Sequence, residues 1–259
     1  YEQRHSPLDL GTEPARVVSG TRVSYVPAAA IVCRVDALRA IDGFDASMRV
    51  GEDVDLAWRL VDAGHRCRYE PLSTVHHRAR PTWGALLRQR VGYGRSAAPL
   101  SQAHTGALAP ARLSGWSLAV WMLVIARRPF SAVALATATG VALQRKLRHL
   151  PPGEIARLVA LGHLGAGRQL AEATRRVWWP LAIPALCWRR TRRAVMLAFI
   201  APALAEAVRT RTAQPLLDWP LRVADDAAYG TGVWWGMARG RTLDPLLPDV
   251  SSWPTRGVR

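Results

Sequence analysis

The densest chemistry in the chain is the run Gly51-Glu52-Asp53-Val54-Asp55-Leu56, followed by Trp58-Arg59-Leu60 and Ala63-Gly64. Two adjacent carboxylates at a loop-to-helix junction suit proton transfer. The helix N-terminus holds one of them, while the other faces a cleft and takes a proton. An acidic first turn is also a common way to start any helix, so the run takes its meaning from its surroundings. Downstream, Tyr69-Glu70-Pro71-Leu72-Ser73-Thr74-Val75 ends in His76 and His77. Adjacent side chains on an extended segment point opposite ways, so one of the two imidazoles can face a metal. Further on, Arg88-Gln89-Arg90-Val91-Gly92-Tyr93-Gly94-Arg95 offers Arg90 and Arg95 to a pyrophosphate or an acidic headgroup; a solvated basic face is the other reading. The serines, cysteines and remaining histidines form no triad-like set, and Cys33 and Cys67 fall on expected strands, where packing is their role.

The elements that must hold these residues follow from local pattern. Residues 1–20 read as loop. Residues 21–34 are β-rich at both ends and apolar in the middle, which predicts a buried strand interrupted near Pro27. Val35 to Ile41 makes a short helical turn closed by Asp42-Gly43. Glu52 to Ala63 reads as a helix with Leu56, Ala57 and Leu60 on one face and Gly64 as its C-terminal stop. His65 to Glu70 alternates as a strand, Pro71 breaks it, and Ser73 to His77 is a second extended piece. Thr82 to about Ser96 is helical and basic.

Read together, the order of these motifs resembles the second half of the catalytic domain of family 2 glycosyltransferases, which have the GT-A fold. The residues that carry the likeness are Val26-Pro27-Ala28, Arg34, Ile41-Asp42-Gly43-Phe44-Asp45, the Glu52–Gly64 run, and the segment from Tyr69 to His77. Ile41-Asp42 stands where the family usually has a residue and a first glycine, and Ser73 where alanine is usual. The likeness covers residues 20–100. Within the family the wording is most similar to the mycofactocin-system glycosyltransferases, through Ser6-Pro7-Leu8-Asp9-Leu10-Gly11, Val23-Ser24-Tyr25-Val26-Pro27, Arg49-Val50 before the acidic run, Tyr93-Gly94-Arg95-Ser96-Ala97-Ala98-Pro99-Leu100 and, faintly, Asp225-Asp226-Ala227-Ala228-Tyr229-Gly230.

That resemblance implies inverting, metal-dependent transfer of a sugar, glucose above all, from a nucleotide-sugar donor to a hydroxyl acceptor, among them the peptide-derived mycofactocin precursor. It implies Asp53 as the base and Glu52 as the residue that orients the acceptor, with Asp55, Arg90 and Arg95 in the substrate-binding set. The divalent metal, Mn or Mg, would take His77, with most of its ligands outside this chain. The D-x-D motif that usually builds the metal site has no counterpart in the expected position, because Asp53-Val54-Asp55 belongs to the base motif. The processive Q-x-x-R-W pattern is also absent: Gly92 and Tyr93 replace its Arg and Trp. The expected fold is α/β: the acceptor-side half of a GT-A domain over residues 1–105, then a mostly α-helical, hydrophobic, membrane-associated region over 106–211, then an irregular Pro/Gly/Trp-rich tail over 212–259. The polar opening stretch reads as a linker inside a longer polypeptide, so the chain alone is expected to be inactive and not to bind a nucleotide sugar.

Composition sets the remaining limits. The chain has 259 residues, 49% of them hydrophobic, and a formal charge of +16, with Lys146 as its single lysine. Three cysteines, far apart and without a CxxC, exclude a disulfide framework or zinc knuckle. No nucleic-acid-binding signature accompanies the charge, so no nucleic-acid partner is expected. Four uncharged runs lie between arginine clusters: Leu113 to Ala126, Phe130 to Leu143, Val177 to Trp188 and Ala194 to Ala205. A helix of about 14 residues reaches ~21 Å, against ~30 Å of hydrocarbon. Three readings stay open: core helices, helices lying in an anionic membrane interface, or short spans extended by arginine. The expected location is the cytoplasmic face of the cell membrane. The alternative function is that of an inactive fragment acting only as a basic membrane-binding protein.

Overall fold

The computed structural model describes residues 1, 2, 4–75 and 79–250. The chain divides into two compact units. Unit 1 comprises Tyr1–Leu108 and Ala224–Pro245; unit 2 comprises Ala109–Val223 and the tail from Leu246.

Unit 1 is built around short elements. Strands β1 (Ala15–Arg16) and β2 (Arg68–Tyr69) pair antiparallel, Ala15 opposite Tyr69 and Arg16 opposite Arg68. Helix α1 spans Val35–Ala40 and α2 spans Glu52–Asp62. Asp42 and Gly43 both take positive φ after α1, as the expected turn requires. Helix α2 stops in a Schellman motif: His65 N–H donates to Leu60 O at 2.9 Å and Gly64 N–H to Val61 O at 3.0 Å, with Gly64 at φ +86°. Helices α3 (Trp83–Arg95) and α4 (Ala97–Ala103) follow, α3 capped by the Thr82 hydroxyl, which accepts from Ala85 N–H at 3.2 Å.

The strand expected over 21–34 does not form. Burial in this segment is confined to Val23, which packs against Val17 and Ala57, while Ala28–Ala30 and Val32 are exposed. The backbone, however, finds no ladder: Val23 O accepts from Val18 N–H and Ser24 O from the Trp58 indole, and residues 28–30 coil into a 3-10 turn. The strand expected over 65–70 shortens to β2. Ser73 to Val75 forms no strand, and His76 and His77 lie outside the described residues.

The tail, expected to be irregular, contains α10 (Gln214–Leu217) and the 22-residue α11 (Trp219–Gly240). From Ala224 onward α11 belongs to unit 1. It meets α3 backbone to backbone: a Cβ added at Gly94 would land on Tyr229 O and 2.8 Å from Val233 N, and one at Gly232 would land on Val91 O.

Unit 2 is helical. Helix α5 (Gly115–Ile125) packs on α6 (Pro129–Lys146) and α7 (Pro152–Arg176); α7 also packs on α8 (Trp179–Ala185) and α9 (Arg192–Thr210). The four uncharged runs fall in α5, α6, α8 and α9. Helix α7 occupies a stretch between the two apolar pairs to which the sequence pattern assigned no element. Its buried residues are Ile155, Ala166, Ala173 and Arg175, and the two alanines pack with Leu113, Trp121 and Leu170. The membrane-spanning reading is corrected: no helix among the described residues is long and apolar enough to cross a membrane. Helix α5 has 11 residues, α7 carries charges along its length, and α9 carries Arg192, Arg193, Glu206 and Arg209 around its uncharged middle.

A polar cluster ties three of these helices. His163 of α7 meets the Ser117 hydroxyl of α5 through Nδ1 and the Thr139 hydroxyl of α6 through Nε2, each at 3.0 Å, while its carbonyl accepts from the Trp121 indole at 2.7 Å. Burial lowers the pKa of His163 below the ordinary histidine value. Protons therefore bind the unfolded chain more readily than the folded one. The stability that His163 contributes is complete above pH ~6.5 and falls as pH drops through the folded value. Thermal melts between pH 8 and 5 should show unit 2 weakening below ~6.5, with a shallower slope in His163→Gln. An unchanged slope would remove His163 from the account.

Candidate active site

Gly51 sets the entry to α2. It sits at φ +85°, and a Cβ there would stand 2.9 Å from Leu100 Cδ1 and 3.1 Å from Ser96 Oγ, so glycine is required both for conformation and for space. The first turn then presents Glu52, Asp53 and Asp55 in different directions. Glu52 and Asp53 are half-buried, whereas Asp55 is 2% exposed.

Asp53 is held from outside the helix. Its Oδ2 accepts from Ala28 N–H at 3.1 Å and its Oδ1 from Val54 N–H at 2.9 Å. The exposed 28–30 turn is thus fixed to the expected base. The Glu52 carboxylate has no hydrogen-bond or ion-pair partner among the described residues, which leaves it available to a ligand.

Asp55 has a different task from the substrate contact expected of it. Its Oδ2 accepts from Arg59 Nε at 2.7 Å and its Oδ1 from His104 Nε2 at 2.9 Å. Arg59 uses its remaining nitrogens on Ile41 O (2.6 Å) and Gly43 O (2.7 Å), locking the turn after α1 to α2. Trp58 adds a bond from its indole to Ser24 O at 2.7 Å. The inward face of α2 is therefore structural, and Glu52 and Asp53 lie on its outward face.

Arg90 also departs from its expected role. It is 5% exposed, its Nε donates to Asp225 Oδ1, and the other oxygen of Asp225 accepts from the Tyr1 hydroxyl at 3.2 Å. Arg90 is thus a buried tie between α3 and α11 rather than the open basic contact expected of it. Arg95 is exposed, its guanidinium 5.6 Å from the centroid of Trp235, and remains open to a ligand. Cys67 packs with Cys33 beside α2; burial first, and Cys33 second, push its thiol up, so it is no nucleophile.

Among the described residues no group of three His, Cys, Asp or Glu side chains is arranged to hold a metal ion. Asp53-Val54-Asp55 does not fit a metal: Asp55 is committed to Arg59 and His104, and Asp53 to backbone N–H groups. His77, the expected ligand, lies outside the described residues.

The sequence matches the family described as "Glycosyl transferase family group 2" over residues 12–189. The chain belongs to that family. It is 39% identical to the pre-mycofactocin glycosyltransferase of Mycobacterium tuberculosis, in both the CDC 1551 / Oshkosh and the ATCC 25618 / H37Rv strains, over 96% of this chain and 56% of the relative. The succinoglycan biosynthesis protein ExoA of Rhizobium meliloti strain 1021 is 29% identical over 56% of this chain and 48% of its own length. The chain spans about half the length of these curated relatives. No solved structure matches it. As a member of the glycosyltransferase family, the chain carries its acidic pair on a helix start that four side chains, Asp55, Trp58, Arg59 and His104, hold in place. Of these Asp55, Trp58 and Arg59 lie inside the acidic-helix motif. His104 had no sequence signal, since its partner is 49 residues away.

Proposed function

We propose that this glycosyltransferase chain activates the acceptor in an inverting sugar transfer, with Asp53 as base. The acceptor hydroxyl attacks the anomeric carbon of a nucleotide sugar. Its proton passes to the Asp53 carboxylate, the new C–O bond forms, and the bond to the nucleoside diphosphate breaks with its electron pair leaving on the diphosphate. Glu52, without a protein partner among the described residues, orients the acceptor. The observation that carries the reading is the half-buried Asp53 carboxylate, fixed by Ala28 N–H on the outward face of α2. Dependence on a divalent metal is part of the proposal, with no described residue assigned to it.

Glucose is the proposed sugar and a pre-mycofactocin the proposed acceptor. Identity to the Mycobacterium tuberculosis enzymes supports the acceptor. The family match also favours transfer over the alternative, a chain that only binds membranes. The test is transfer of labelled glucose from UDP-glucose, run on the chain alone and joined to the part of a curated relative outside the match. An α-linked donor should yield a β-linked product. Retention of configuration, or no transfer in either preparation, overturns the reading.

Attachment to the cytoplasmic face of an anionic membrane is proposed as a property of unit 2. Its helices expose large apolar side chains beside arginines, including Phe130 (89%) next to Arg127 and Arg128, and Trp188 (67%) next to Arg189 and Arg190. Sedimentation with vesicles containing phosphatidylserine should pull the chain down at low salt and release much of it at high salt. Equal recovery with neutral vesicles would remove the anionic part of the proposal.

A further inference from the structure

The contacts around α2 close into a ring. Inside the helix, His104 Nε2 donates to Asp55 Oδ1 at 2.9 Å, the carboxylate being acceptor only. The same imidazole meets the Trp58 ring edge-on, with centroids 5.1 Å apart and planes at 82°. Trp58 donates to Ser24 O, and four residues further along that segment Ala28 N–H donates to Asp53. Asp53 and Asp55 are two residues apart on one helix, so the roll that seats Asp55 inward also aims Asp53 outward. His104 ends α4 with its side chain 9% exposed, and its own N–H is held by Leu100 O at 2.8 Å, so it is a fixed post rather than a mobile one.

Arg59 alone does not set this arrangement. It takes one oxygen of Asp55 and spends its other nitrogens on the turn after α1. The second oxygen, on the side of α4, is held by His104. Without it a buried carboxylate oxygen loses its partner, and α2 gains freedom to roll while the 24–28 segment loses the ring behind Trp58.

We infer that His104 is a positioning residue for the transfer, resting on the reading of Asp53 as base: through Asp55 it fixes the roll of α2, and through Trp58 it fixes the segment whose N–H holds Asp53. It touches neither acceptor nor donor.

The test uses the full chain, with two readouts. The first needs no substrate: hydrogen exchange at the Ala28 amide, by NMR. His104→Phe keeps an aromatic edge on Trp58 and removes the N–H to Asp55; Ala28 should exchange roughly threefold faster or more. His104→Gln returns a side-chain N–H and should restore most of the protection. The second readout is transfer, in the preparation used above. His104→Phe should lower kcat by roughly ten- to a hundredfold with KM little changed, as expected for a displaced base, and His104→Gln should recover most of that loss. Trp58→Phe removes the Ser24 bond alone and should also speed Ala28 exchange, which keeps the test open if His104→Phe fails to fold. Unchanged Ala28 exchange in the folded variants overturns the inference, as does a kcat that stays at the wild-type value. If the wild-type chain transfers no sugar while Ala28 responds as expected, the ring of contacts stands and the transfer reading falls, taking the catalytic part of the inference with it.

Discussion

Asp53→Asn should leave unit 1 folded and lower sugar transfer by a factor on the order of 10²–10⁴. The substitution is isosteric. The amide oxygen can still accept from Ala28 N–H, so the 28–30 turn keeps its anchor. The inner face of α2, where Asp55, Arg59 and His104 bind one another, is not touched. What disappears is the ability to take a proton. The measurement is kcat with UDP-glucose and acceptor, beside the melting temperature of both proteins. A variant that melts with the wild type and turns over at nearly its rate would end the assignment of Asp53 as base. Asp55→Asn should behave in the opposite manner, losing stability first, because a buried amide cannot replace a carboxylate between a guanidinium and an imidazole.

Gly232→Ala should destabilise unit 1 by about 3 kcal/mol or more, the upper end of what overpacking costs. The usual relief for an extra methyl is a side chain that moves aside. Here the neighbours are Val91 O, Val91 C and Gly94 Cα, all backbone, so α3 and α11 must separate. Separation would also stretch the buried pair between Arg90 and Asp225, whose side chains are 6% and 15% exposed. Gly92→Ala is the contrast. Nothing lies within 4 Å of its added Cβ, and alanine is the better helix former, so the change should be neutral or stabilising by about 0.5–1 kcal/mol. Denaturant midpoints for the two variants would decide it; equal midpoints would mean that the two helices do not meet at these glycines.

The parts of unit 1 legible in the sequence are those set by local rules. Acidic residues at a helix start, a glycine at its end and Asp42-Gly43 after α1 all act within a few residues, and each appears where the pattern put it. What the pattern missed depends on distant partners. A strand over 21–34 would need a neighbouring strand, and the fold supplies instead a local backbone bond from Val18 and the side chains of Trp58 and Asp53. The roles of Asp55 and Arg90 were out of reach because their partners, His104 and Asp225, stand 49 and 135 residues away. The tail misled for another reason. Gly232, Gly236 and Gly240 look like loop residues, yet they recur every fourth position. On a helix that spacing makes one flat face, and an added Cβ at Gly232 or Gly236 would strike the backbone of α3.

The return of α11 to unit 1 also dictates an order of events at the ribosome. Asp225 is made 135 residues after Arg90, a delay of roughly 7–27 s at ordinary translation rates. Throughout that interval the guanidinium destined for burial, and the bare backbone at Gly94, have nothing to close on. Most helix pairs of unit 2, by contrast, are near neighbours in the chain and can associate as they emerge. Helix α11 is thus needed to complete a unit whose other helices are made more than a hundred residues earlier, and nascent chains halted before Asp225 should be captured by chaperones that chains halted after Gly240 escape.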